Sequence, residues 1–91
     1  MRFSWDPAKA RTNLKKHGVT FEEAATVFAD RLALIVEDSA HPERALMIGE
    51  SLLRQLLVIV FADLDMGVIR IISARRATRQ ERKRYEEGQA K

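Results

Sequence analysis

Cysteine is absent from the sequence, and histidine occurs only twice, at His17 and His41. The first absence excludes disulfide bonds and thiolate metal sites, and the second leaves any zinc site dependent on carboxylates. The longest apolar run, Leu56 to Ala62, has seven residues, against roughly 20 for a membrane-spanning helix. The first residues show no signal-peptide pattern. We therefore expect a soluble, cytoplasmic protein with no membrane association, no metal and no cofactor.

Several motifs of common enzymes and DNA-binding proteins are missing as well. The sequence contains no Gly-rich phosphate loop, no nucleophile elbow and no zinc-finger spacing. These absences exclude P-loop nucleotide hydrolysis, α/β-hydrolase chemistry and zinc-finger DNA binding.

The 91 residues, enough for one compact domain, carry their charge unevenly. The net charge is only +3, but residues 70–84 hold seven basic residues against one acid, Glu81. Acidic residues dominate the middle of the chain. This asymmetry predicts a polyanionic ligand or an acidic partner. A second basic group lies near the N-terminus and consists of Lys9, Arg11, Lys15 and Lys16.

Capping signals predict three helices. Asp6 and Pro7 start the first, which runs to about His17 and stops at Gly18. Thr20 opens the second with a capping box, in which Thr20 bonds the amide of Glu23 and the Glu23 side chain bonds back. Apolar residues at helical spacing follow it as far as residue 28. Another capping box, formed by Thr78 and Glu81, opens a last helix ending near residue 88.

Five segments have the composition of strands, which makes the fold α+β. The fourth is almost entirely apolar and is expected to lie in the middle of the sheet. Short loops favour antiparallel pairing. In the first segment, Phe3 and Trp5 are expected to join the core. The five segments are Phe3–Trp5, Leu32–Glu37, Arg44–Gly49, Gln55–Ala62 and Val68–Ser73.

The last helix is polar on nearly all sides, and Tyr85 is its only large apolar residue. Such a helix gains little from core packing, so it needs a partner or remains marginal. Arg75, Arg79 and Arg82 share one face if the helix extends that far back. A solvated helix is the ordinary interpretation, but the excess of positive charge favours a binding role.

If the polyanionic ligand is RNA, its cleavage without a metal would require proton transfer and charge stabilisation. The 2′-hydroxyl loses a proton as it attacks phosphorus, the 5′-oxygen gains one, and negative charge accumulates between them. Histidine, with an unperturbed pKa of about 6.5, carries protons at neutral pH. Arginine is always protonated and binds phosphate oxygens in pairs. Glutamate and tyrosine are further proton carriers.

Each candidate residue also has a structural explanation. His17 ends a helix, where it can act as a C-terminal cap. Glu43 and Arg44 can form a surface ion pair of little energetic value. His41 precedes a proline and fits a turn.

An arginine in an apolar strand is harder to explain by structure alone. Strand alternation places Arg70 with Ile72 on one face, and Ile69, Ile71 and Ser73 on the other. Burying Arg70 without a partner would be unfavourable, so we expect it to face a cleft or a carboxylate.

In this order along the chain, these segments resemble BrnT toxins. The resemblance covers nearly the whole sequence. Its motifs are Phe3-x-Trp5-Asp6-Pro7-x-Lys9, Asn13-Leu14-x-Lys16-His17-Gly18-Val19, Phe21-Glu22-Glu23-Ala24-x-x-Val27-Phe28-x-Asp30, Glu43-Arg44 with Ile48-Gly49, and Ile69-Arg70-Ile71-Ile72-Ser73-Ala74-Arg75-Arg76-Ala77 with Glu81 and Tyr85.

The resemblance implies a single toxin domain over residues 1–91. It implies a RelE-like fold, with a small antiparallel sheet, two N-terminal helices packed on it and a polar C-terminal helix. The implied activity is an RNA cleavage that arrests translation. The implied partner is a DNA-binding antitoxin, which we expect to be of the ribbon-helix-helix type and to provide the only contact with operator DNA.

The site hypothesis combines the residue chemistry with these motifs. Arg70, Arg75 and Arg76 hold the scissile phosphate, and Tyr85 and Ser73 orient the backbone. His17 or Glu43 moves the proton. The residues assigned to catalysis are His17, Glu43, Arg70, Arg75 and Tyr85. Those assigned to RNA binding are Lys9, Lys16, Arg44, Ser73, Arg76 and Arg79.

Two other functions are compatible with the same basic segments. One is a nucleic-acid-binding module without catalysis, which predicts salt-sensitive binding and intact RNA. The other is an adaptor whose polar last helix docks on an acidic partner, which predicts no effect on growth.

Overall fold

A five-stranded sheet forms the centre of the molecule, with helices on both of its faces. The computed structural model describes residues 1–89. Within them the elements are β1 (Arg2–Ser4), α1 (Pro7–His17), α2 (Phe21–Thr26), a short 3-10 helix (Val27–Ala29), β2 (Leu34–Glu37), β3 (Ala45–Glu50), β4 (Leu56–Asp63), β5 (Val68–Arg76) and α3 (Arg79–Gln89).

The strand order is β1-β5-β4-β3-β2, which confirms the central position of β4 and the α+β class. The pairs among β2, β3, β4 and β5 are antiparallel as expected. The sheet as a whole is mixed, however, because β1 runs parallel to β5, with Phe3 beside Ile69. No hairpin joins these two strands, so nothing in the connection imposes the antiparallel direction.

The two N-terminal helices pack on one face of the sheet and enclose the main core. Asp6 caps α1 by accepting a bond from the Ala8 amide at 2.9 Å, and Gly18 ends the helix with φ 71°. Phe3 and Trp5 pack against this core, as expected. Its fully buried members include Phe21, Leu57 and Ile59.

The predicted capping box of α2 is only half formed. Thr20 Oγ1 accepts a bond from the Glu23 amide at 3.0 Å. The Glu23 carboxylate does not bond back, and accepts instead from Ser51 and Gln55 of the β3–β4 turn. Glu23 is 9% exposed, and a buried carboxylate is stabilised by the nearest strong donors.

Strand β5 is three residues longer than predicted and contains a bulge. Val60 pairs with Ser73 and Phe61 with Ile71, so Ile72 has no partner on β4. The bulge interrupts the alternation. Ile69 and Ile71 share one face as predicted and lie in the core, but the next core residue on that face is Ala74 and not Ser73.

Helix α3 packs on the opposite face of the sheet through Tyr85. Tyr85, 9% exposed, contacts a small cluster that includes Ile48 and Val58. The predicted capping box of this helix is complete, with bonds of 3.2 and 2.8 Å between Thr78 and Glu81. The helix starts at Arg79, so Arg75 belongs to β5 and not to the face that carries Arg79 and Arg82.

Candidate nucleic-acid interface

Four predicted site residues line one cleft between α1 and β5, here called the α1 cleft. Its cavity volume is about 310 Å³. Lys9, Lys16 and His17 reach it from α1, and Ser73 reaches it from β5. Its remaining lining residues are Ala8, Thr12, Asn13 and Ile72.

The place of this cleft is set by the helical spacing of residues on α1 and by one buried side-chain amide. Lys9, Asn13 and His17 follow each other at intervals of four, so they share a face of α1. Strand β1 pairs with β5 only as far as Arg70. Beyond that point Asn13 takes over as the hydrogen-bonding partner of β5. Its Oδ1 accepts from the Ala74 amide at 3.1 Å, and its Nδ2 donates to the Ala74 carbonyl at 2.8 Å.

His17 is half-buried at the end of α1, next to Lys16. Within residues 1–89 its side chain forms no hydrogen bond or ion pair. Both ring nitrogens are therefore available to a ligand. A histidine between lysines and a serine hydroxyl has the groups needed to move a proton beside a phosphate.

A second cavity lies at the end of β5, three residues beyond Ser73. We call it the arginine cleft, with a volume of about 260 Å³. Arg76, a predicted RNA-binding residue, lines it together with two arginines from other elements. Its lining residues are Arg54, Gln55, Leu56, Arg76, Ala77 and Arg82.

Arg75 lies beside Val58 on the face that carries α3, where its guanidinium binds a carboxylate. Its NH1 and NH2 groups donate to the two oxygens of Glu81 at 2.8 and 2.9 Å. These hydrogen bonds lower the pKa of Glu81 to about 2, against the opposing effect of burial. Arg75 therefore connects β5 to α3.

The hydroxyl of Tyr85 lies in the interior and donates to Asp30 at 2.6 Å. Burial tends to raise the pKa of Asp30, but hydrogen bonds from the Glu50 amide, Tyr85 and the Leu32 amide outweigh it and lower the pKa. Tyr85 thus holds α3 against the segment before β2, away from the α1 cleft.

Glu43 and Arg44 line a different cavity, here called the acidic cleft, of about 630 Å³. Glu43 lies 3.4 Å from His41 and 4.0 Å from Arg44, in partly exposed ion pairs. The structure does not bring Glu43 into the α1 cleft with His17. The acidic residues that line this cavity are Glu37, Asp38, Glu43 and Asp63.

Arg70 and Arg79 are exposed and line neither the α1 cleft nor the arginine cleft. The expectation that Arg70 faces a carboxylate is wrong, because none within residues 1–89 lies within ion-pair distance of it. Its side chain points outward from the strand, where water can solvate it. The same described part of the chain contains no group of three His, Asp or Glu side chains that could hold a metal ion.

The family described as "Ribonuclease toxin, BrnT, of type II toxin-antitoxin system" matches residues 5–81. The chain belongs to this family. Its fold agrees with the crystal structure of the Brucella abortus ribonuclease toxin BrnT, with a TM-score of 0.71 and 26% identity. The match covers 87% of this chain and 99% of the Brucella chain. No curated protein matches the sequence.

Three residues of these clefts in this BrnT-family chain were not predicted as site residues from the sequence. Asn13 was visible as part of a motif, and its four-residue spacing from His17 could have indicated a shared face. Arg82 counted toward the basic segment without an assigned role. Arg54 is isolated in sequence, and only the pairing of β4 with β5, in which Leu57 lies beside Arg76, brings it near Arg76.

Type II membership implies an RNA substrate and an antitoxin partner. Among residues 1–89, no helix has both the length and the apolar character required to cross a bilayer.

Proposed function

We propose that this BrnT-family toxin cleaves RNA in the α1 cleft without a metal ion and thereby arrests translation. The observation that carries the proposal is the convergence of Lys9, Lys16, His17 and Ser73 on one cavity. A phosphodiester in this cavity would meet two cations, a hydroxyl and an imidazole that has no other partner in the described chain.

The reaction then proceeds by attack of the 2′-hydroxyl. His17 accepts the hydroxyl proton as the oxygen bonds to phosphorus and the bond to the 5′-oxygen breaks. The imidazolium returns the proton to the leaving oxygen, so the products carry a 2′,3′-cyclic phosphate and a 5′-hydroxyl. Lys9 and Lys16 offset the charge that develops on the phosphorus centre, which is where electrostatic catalysis is most effective.

The other assigned residues remain predictions. Arg76 lines the arginine cleft beside the proposed site. Glu43 and Arg44 occupy the acidic cleft, and Arg75 and Tyr85 hold α3. Arg70 and Arg79 are exposed cations that can contact more distant RNA phosphates.

For the partner, the proposal is a ribbon-helix-helix antitoxin that binds operator DNA and neutralises the toxin in the cytoplasm. Membership of a type II system supports an antitoxin of some kind. The excess of basic residues in positions 70–84 supports a complex with an acidic segment of that antitoxin.

The test compares the two histidines of the chain in the presence of EDTA. His17→Ala should slow RNA cleavage by on the order of a hundredfold or more, since general acid–base catalysis contributes about that much. The matched control is His41→Ala, because His41 is exposed beside Glu43 and outside the α1 cleft. Equal rates for both variants, or no cleavage by the wild type with chelator, would contradict the proposal.

A further inference from the structure

Three arginines from three separate elements converge on the arginine cleft. Arg54 comes from the β3–β4 turn, Arg76 from the end of β5 and Arg82 from α3. Arg76 and Arg82 belong to the basic segment 70–84, whereas Arg54 lies 22 residues before Arg76 and joins them only through the fold. Gln55 adds a side-chain amide to the same cavity.

This cluster is poorly neutralised by the protein itself. Within residues 1–89, Arg76 and Arg82 form no ion pair. Arg54 lies 3.6 Å from Glu50, but its side chain is 85% exposed, so this pair contributes little. Guanidinium groups around one small cavity repel each other, and an anion bound between them would remove that repulsion.

The backbone under the cluster is held firmly. Glu23 accepts bonds from Ser51 Oγ at 2.7 Å and Gln55 Nε2 at 2.9 Å, which connects the turn that carries Arg54 to α2. On the opposite side of the cleft, the Ala77 amide donates to the Leu56 carbonyl at 2.9 Å. Rigid supports of this kind reduce the entropy lost when a ligand binds.

We propose that the arginine cleft binds a phosphate group of the RNA next to the one cleaved. Guanidinium groups bind phosphate oxygens in pairs, which suits a site built from arginine. Arg76 follows Ser73 of the α1 cleft by three residues, or about 10 Å of extended strand. The α1 cleft adjoins α1 and the arginine cleft adjoins α3, so an RNA strand that occupies both clefts has to pass from one face of the sheet to the other. The inference rests on the proposed function for the identity of the RNA.

Binding is best measured with a single-stranded DNA oligonucleotide, which has no 2′-hydroxyl and is not cleaved. Arg82→Gln and Arg54→Gln should each weaken its affinity by on the order of tenfold at low salt, as expected for a lost charge-assisted bond. Each should also reduce the slope of log affinity against log salt by about 0.7, the value for one phosphate contact on a single strand. The matched control is Arg31→Gln, which removes one exposed charge outside this cleft.

Equal affinity and equal slope for Arg82→Gln, Arg54→Gln and Arg31→Gln would overturn the inference, even if the first two variants bound the antitoxin less well. Unchanged oligonucleotide binding together with weaker antitoxin binding would assign the arginines to a protein partner. A His17→Ala protein separates this inference from the proposed function. If His17→Ala keeps the wild-type cleavage rate while Arg82→Gln and Arg54→Gln still weaken binding, the proposed function fails and the phosphate site stands.

Discussion

At the scale of single residues, Asn13 has the largest structural role in the α1 cleft. Its side chain is 6% exposed and bonds to both the amide and the carbonyl of Ala74. It also donates to the Val19 carbonyl at 3.0 Å, beyond the end of α1. One amide therefore connects the helix, its C-terminal turn and the strand, and sets the distance between His17 and Ser73.

Asn13→Ala should lower the free energy of unfolding by about 3 kcal/mol, because each buried polar group left without a partner costs about 1–3 kcal/mol. Urea denaturation measures this loss. Thr12→Ala is the control, since Thr12 is an exposed neighbour whose hydroxyl bonds only to the Ala8 carbonyl of its own helix. Similar stability for the two variants would show that Asn13 does not connect the elements as the hydrogen bonds indicate.

Single residues also mark the limit of what the sequence could predict. Local signals, such as the caps formed by Asp6 and Thr78, depend on neighbours in the chain and were predicted correctly. The spacing of Thr20 and Glu23 predicted a cap for α2 equally well, but the Glu23 side chain does not form it. Its partners Ser51 and Gln55 are 28 and 32 residues away, and only the tertiary fold brings them together.

At the scale of elements, the attachment of α3 depends on few interactions. Tyr85 supplies its main apolar contact, and the pair formed by Arg75 and Glu81 connects its first turn to β5. The polar sequence had predicted a helix with little packing of its own. A partner was expected for this helix, and the sheet of the same protein supplies part of that contact through Tyr85.

This attachment should depend on pH through Glu81. The folded pKa is about 2 and the usual value is 4.5, so the ionised carboxylate stabilises the fold above pH 4.5. That contribution is lost as the pH falls from 4.5 toward 2. The Arg75 side chain is 37% exposed, and solvent screening therefore limits the expected effect to about 1 kcal/mol.

Glu81→Gln should accordingly be less stable than the wild type at pH 7, and the difference should disappear near pH 2. Glu86→Gln provides the control, because Glu86 is exposed on the same helix and belongs to no ion pair in residues 1–89. Chemical denaturation at a series of pH values measures both variants. A difference between Glu81→Gln and wild type that stayed constant down to pH 2 would argue against a role for the ionised pair.

The order and type of the elements followed from the sequence, because each has a clear period and clear end signals. The bulge at Ile72 did not, since it depends on how β5 pairs with β4. This single residue shifts every later side chain of the strand to the other face. The direction of β1 was likewise missed, because a strand without a hairpin carries no local signal of its partner.

At the scale of the whole molecule, charge is separated along the sheet. The arginine cleft adjoins Leu56 at the start of β4, and the acidic cleft adjoins Asp63 at its end. Eight residues of extended strand separate these ends by about 23 Å. A polyanion is attracted to the first end and repelled from the second.

This arrangement favours one of the two proton carriers that the sequence left open. His17 and Glu43 line separate cavities, and β3 lies two strand spacings, or about 10 Å, from β5. Because His17 lies in the cationic part of the molecule and Glu43 among carboxylates, we expect His17 to be the residue required.

Glu43→Gln should therefore leave RNA cleavage within about twofold of wild type, as expected for a charge in a screened, exposed pair. It removes a negative charge from a surface that repels RNA, so any change in affinity should be a small increase that vanishes at high salt. Cleavage rates for Glu43→Gln and His17→Ala, measured on one RNA at two salt concentrations, provide the comparison. A hundredfold loss in Glu43→Gln with full activity in His17→Ala would move the reaction to the acidic cleft, where RNA binding would have to overcome four carboxylates.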